Sequence, residues 1–146
     1  MAEVSLAARA LARRVLLPDA RECRDDAALA EAVARADAQL RARLVDLIGP
    51  TGYTTLVARA VRLAQAEVPA LEQVTGDAGE GTLRGVRAVV LASDGDLVMA
   101  AAGPTAILAH VIGLLIAFIG EDLALRLIHE AWPDLASDPA ALEERA

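Results

Sequence analysis

The chain of 146 residues has no lysine and no asparagine, and it holds one cysteine, one tryptophan, one tyrosine, one phenylalanine and two histidines. Each shortage removes a class of explanation. Without lysine there is no Walker-type phosphate-binding loop, and Gly76 to Gly81 contains no Gly-x-Gly-x-x-Gly spacing. A lone Cys23 rules out an intramolecular disulfide framework and a cysteine-based zinc site. With aromatics at 2% of residues, the core has to be aliphatic. The three serines, Ser5, Ser93 and Ser137, stand in no Gly-x-Ser-x-Gly context, so a serine hydrolase has no support. Neither His-x-x-x-His nor Glu-x-x-His occurs, which leaves no metal spacing of the usual kind. No metal or cofactor is expected.

What is present is aliphatic and helix-forming. Hydrophobic residues make up 55% of the chain, above the usual value of about 45–50%. Alanine, leucine, arginine and glutamate dominate, all strong helix formers. All 14 basic residues are arginine. The absence of lysine and asparagine, both with AT-rich codons, suggests a GC-rich bacterial genome. The net charge is −7, and it divides unevenly, +2 over residues 1–62 and −9 over residues 63–146. An acidic chain repels phosphate backbones, so nucleic acid is not an expected partner. Glu3, Arg9, Arg13 and Arg14 interrupt any apolar run that could serve as a signal peptide, which suits a cytoplasmic setting.

The periodicities predict an all-α bundle of five or six helices in a single domain over 1–132, followed by an acidic tail over 133–146 with a short terminal helix from Pro139. Ala2 to Leu17 carries an apolar face of Val4, Ala7, Ala8, Leu11 and Val15, and ends at Pro18-Asp19. Ala27 to Ile48 carries the stripe Leu29, Val33, Ala36, Leu40, Leu44 and Leu47, with Glu31–Arg35 and Asp37–Arg41 as i,i+4 pairs on the wet side. Gly49-Pro50 stops it. A third helix over Thr54 to Glu67 turns Leu56, Val57, Ala60, Val61 and Ala64 inward, as an antiparallel neighbour of the second. Residues 83–99 fit two short helices broken at Asp94-Gly95, or a β-hairpin turning there; helix is favoured because a lone hairpin is weak in water.

The remaining segment governs the rest. Leu97 to Gly120 is 24 residues without a formal charge, and a helix that apolar needs other chain, a second copy or lipid to cover it. Gly103-Pro104 predicts a break, with one long helix running from Pro104 to Trp132. That break, His110, the lack of a leading aromatic and the absence of any cation between Arg87 and Arg126 favour a buried core helix over a membrane span. Within it, Ala109, Gly113 and Ala117 recur every four residues, a small-residue stripe that lets two helix backbones approach closely. With Ile112 and Ile116 beside it, this stripe is the expected helix-packing and dimer interface.

Polar groups that could form a site are few. His110 stands among apolar neighbours, as a buried neutral imidazole hydrogen-bonded to a carbonyl would; a phosphoacceptor histidine would not keep the company of Val111, Ile112 and Leu114. Tyr53, beside Thr51, Thr54 and Thr55, reads as a side chain packed at a helix entrance, with a small binding patch as the alternative. Glu121, Asp122 and His129 read as a solvated surface; Asp122 and His129 share a face but are separated by about 10 Å of helix rise. Trp132 is placed to plug the core edge or to serve a partner. The function expected is a non-enzymatic helical interaction or regulatory protein, homodimeric through the apolar helix. A membrane-associated or membrane-inserting protein is the first alternative. A small-ligand binder or enzyme with a pocket near His110, Tyr53 or Glu121 is the second.

Overall fold

A computed structural model describes residues 6–16, 26–69, 71, 86, 88, 90 and 97–132. Among them there are four helices and no strand: α1 (Leu6–Leu16), α2 (Asp26–Glu67), α3 (Leu97–Ile119) and α4 (Glu121–Ala131). The fold is all-α as expected, but the described residues form four continuous helices where five or six are expected, with Val86, Ala88 and Val90 helical besides. Two of the predicted elements are the arms of α2, on either side of Gly49. This residue adopts φ 80°, ψ 166°, a region essentially reserved for glycine. One residue therefore makes the corner, and Pro50 begins the second arm, where a missing N–H costs nothing. Thr54 and Thr55 are inside that arm: their hydroxyls bond back to the carbonyls of Pro50 and Thr51.

Tyr53 shows how sharply the arms fold. It lies four residues past Gly49, yet its hydroxyl donates to Asp37 Oδ1 at 2.6 Å, twelve residues before the corner. The apolar stripes meet inside this fold. Leu29, Ala36, Leu40 and Leu44 of the first arm are buried, as are Leu56, Val57, Ala60, Val61 and Ala64 of the second. Leu47 departs from the predicted stripe and is 46% exposed, at a corner where Asp46, Ile48 and Pro50 are exposed as well.

The long helix also differs from expectation at both ends. Gly103-Pro104 does not start it; α3 already begins at Leu97 and carries Pro104 within it. The glycine there answers to packing. A Cβ at position 103 would come within 2.8 Å of Leu71 Cδ2, closer than carbon atoms tolerate. The real break is Gly120, at φ 89°, ψ 156°, between α3 and α4. Glu121 and Asp122 follow in the first turn of α4, where acidic side chains oppose the helix dipole. At its other end Arg43 donates to the Glu130 carbonyl, and Trp132 Nε1 donates to Gln39 Oε1. Trp132 is half-buried against the core.

α3 is the element the others wrap. α1 and α2 pack against it, and Ala106, Leu108, Ala109, Val111, Ile112, Leu114 and Leu115 are buried. α1 contributes Ala8, Leu11, Ala12 and Leu16, one turn-spaced face, with Arg13 exposed opposite. Val86, Ala88 and Val90 are helical, with Val86 and Val90 in the core, in line with helix over hairpin. The Asp94-Gly95 turn, Cys23, the Gly76–Gly81 loop and the acidic tail over 133–146 lie outside the described residues.

Candidate functional site

Two polar constellations interrupt the aliphatic core. The first joins α1, the end of α2 and the middle of α3. His110 is 2% exposed. Its Nε2 lies 2.9 Å from Glu67 Oε1, and the same oxygen receives Arg9 Nη2 at 2.8 Å. The imidazole partner is thus a carboxylate and not the expected backbone carbonyl. A carbonyl of the same helix is already committed to the helix ladder, whereas Glu67 ends α2 with its side chain free to reach across. The Arg9 guanidinium holds the Glu67 carboxyl below the usual range, opposed by burial and assisted by His110. Glu67 is therefore an acceptor, so Nε2 carries the proton it shares. Nδ1 is left buried with no hydrogen-bond partner among the described residues.

This arrangement resembles the carboxylate–imidazole half of an acid–base pair, but its second nitrogen is buried. The nitrogen facing away from Glu67 has no access to solvent, and no serine, threonine or cysteine hydroxyl or thiol bonds to it among the described residues. General base work needs the basic nitrogen within hydrogen-bond reach of a substrate proton.

The second constellation centres on Tyr53, 3% exposed. Its hydroxyl donates to Asp37, the Arg41 guanidinium lies 5.3 Å over its ring centroid, and Arg41 also pairs with Asp37 Oδ2 at 3.4 Å. Burial, then the hydrogen bond to Asp37, push the phenol well above its ordinary value, so it stays neutral. Tyr53 and Asp37 line a half-open cavity of about 70 Å³ whose other walls come from α1, both arms of α2, Val86 and α3.

Glu121 and Asp122 are exposed in the first turn of α4 and His129 is half-buried near its end. Asp122 and His129 border a shallow groove with Arg126 and Glu130. The structure does not bring them near His110 or Tyr53, and among the described residues no three metal-ligating side chains cluster. Within the small-residue stripe, Ala109 and Ile112 are fully enclosed by the chain's own helices, Gly113 and Ile116 are half-buried, and Ala117 is exposed. The first two are therefore intrachain packing residues, unavailable to a second copy, and only the C-terminal part of the stripe reaches the surface. Just beyond it Phe118 is 74% exposed, and Leu123 opens α4 as a second exposed apolar side chain.

Sequence reasoning missed Glu67, Arg9 and Asp37 as partners. His110 and Glu67 are 43 residues apart and Arg9 and Glu67 are 58 apart, so no local spacing links them. Asp37 carried a signal for its Arg41 pair but none for Tyr53, which reaches it only because Gly49 folds α2 back.

No protein-family model matches the chain, and neither does any curated protein or any solved structure.

Proposed function

We propose that the protein is a non-enzymatic helical interaction module that associates with a second copy of itself through the α3–α4 corner. The observation that carries this reading is Phe118, the most exposed of the large apolar side chains at 74%. It sits one residue from Ala117 and two from the Gly120 corner, and Ile116 and Gly113 lie two and five residues earlier on the same helix. Exposed large apolar groups gathered at one place mark contact surfaces more often than chance does. Small residues at Gly113 and Ala117 let a partner helix approach closely, and Phe118 and Leu123 supply burial at its edge. The buried polar groups fit this reading too: both constellations hold the chain's own helices together and neither presents a reactive atom.

Size-exclusion chromatography with light scattering tests it. The expected result is a detergent-free dimer that dissociates on dilution, with Phe118→Ser shifted to monomer. A monomer at every concentration would discard the proposal.

A second reading, association with membranes, is supported by one feature. Ala101–Ile119 is long and apolar enough to cross a bilayer, although more than half of it is already covered by other helices. Flotation with anionic and zwitterionic vesicles separates the two: co-migration of the wild-type chain with either would favour the membrane.

A further inference from the structure

The cavity beside Tyr53 is lined by twelve described residues, of which only Asp37 and Tyr53 are polar. Val33, Ala36, Val57, Ile107 and Leu108 are among the aliphatic walls. At about 70 Å³ it is roughly half the size of an engineered apolar cavity known to hold benzene. We infer that this cavity is a binding site for a small, neutral, largely apolar molecule of about three or four heavy atoms bearing one hydroxyl.

The chemistry follows from how the two polar residues are engaged. The Tyr53 hydroxyl spends its proton on Asp37 Oδ1 at 2.6 Å, which leaves its oxygen as an acceptor. A ligand must therefore supply a donor, and a hydroxyl does. Asp37 offers little beyond this, since its second oxygen pairs with Arg41. An anion would meet the Asp37 carboxylate in the lining, whereas Arg41, 5.3 Å from the Tyr53 ring centroid, is not among the lining residues. An ammonium would have to shed its water among aliphatic walls beside an Asp37 carboxylate whose charge Arg41 already balances, a cost that burial of a charge does not recover. Neutrality, one donor and small size are thus set by three separate features. Because α1, both arms of α2 and α3 all contribute walls, an occupant would also tighten the contacts among them. This inference does not depend on the dimer: the cavity is built within one chain.

Two probes separate the hole from its polar group. Xenon, followed by ¹²⁹Xe NMR, reads the apolar volume; 1-propanol, followed by saturation-transfer NMR, reads the acceptor. The expected result is saturable binding of both, with 1-propanol at roughly millimolar affinity, as suits so few atoms, and no saturable signal from propionate or propylammonium. Val57→Phe should fill the cavity and abolish both signals. Should that variant not fold, Ala36→Val narrows the same space and should weaken both. Tyr53→Phe should keep xenon and weaken 1-propanol at least fivefold. The inference is overturned if xenon shows no saturable site, if 1-propanol binds the filled or Tyr53→Phe chains as it binds the wild type, or if the charged analogues bind equally well.

Discussion

The two ends of α3 have the same chemistry and opposite surroundings. Residues 106–115, apart from His110 and Gly113, and residues 116–119 are aliphatic or aromatic. Yet Ala109 and Ile112 are wholly enclosed, while Ala117 and Phe118 face outward. The difference comes from what lies alongside. α1 and α2 pack along α3, but at Gly120 the chain turns, and α4 covers one side of the end and leaves the other open. Hydropathy measures how strongly a residue avoids water. It does not measure whether the topology can supply a neighbour, and where it cannot, the unmet demand becomes a surface with a use.

Substitutions at the two ends sharpen this contrast. Ile112→Ala should lose about 2–5 kcal/mol of stability, since it removes buried methyl groups and leaves a cavity among fixed helices. Phe118→Ser should change the stability of the isolated fold by no more than about 0.5 kcal/mol, as exposed positions generally do. Urea titration of both variants, at a protein concentration low enough to dissociate a dimer, reads the difference directly. Similar losses at both positions would mean that Phe118 is covered after all and that the contrast fails.

The corner itself comes next. Gly120 has open space around the position of a missing Cβ, so a methyl group would meet no neighbour, and only its backbone at φ 89°, ψ 156° resists a side chain. Gly120→Ala should therefore cost about 1–3 kcal/mol from backbone strain alone. Gly49→Ala should cost a comparable amount, because Gly49 shares the same backbone region and the same open surroundings. If Gly120→Ala is neutral and extends α3 into α4 by circular dichroism, the turn is not fixed and the exposed end of α3 is not a stable feature.

Much of the fold was legible in the sequence, for reasons these residues make plain. The stripes on α1 and on the two arms of α2 were readable because apolar residues at three- and four-residue steps encode a buried face whatever covers it. Gly49 was readable as a stop because glycine followed by proline ends a helix in most contexts. Gly103-Pro104 invited the same reading and does not act that way. There the glycine makes room for Leu71, a contact from a distant segment that no local pattern announces. Gly120 carries no flanking proline, so the sequence pattern runs on as uninterrupted helix through the turn that matters most. At the candidate sites His110 was legible as buried, from its neighbours, but its partner was not. A contact between α2 and α3 exists only once both are placed, and the same holds for Tyr53 and Asp37.

The smallest expected effect belongs to the enclosed part of α3, where His110 meets Glu67. Arg9 chiefly, with help from His110, lowers the Glu67 carboxyl below the ordinary carboxylate value. The folded chain therefore binds fewer protons at this group than the unfolded chain as pH falls past that value. The sign follows from linkage: the pair's contribution is complete above the unfolded value and disappears as pH drops through the lower folded one. Because the Glu67 side chain is 33% exposed, solvent screens the interaction and the effect is modest. Wild type should melt slightly above Glu67→Gln at neutral pH, and the gap should close on acidification below the ordinary carboxylate range. A gap that persists unchanged into acid would show that Glu67 contributes by packing and not by charge, and would remove Arg9 and His110 as the groups that hold its proton off.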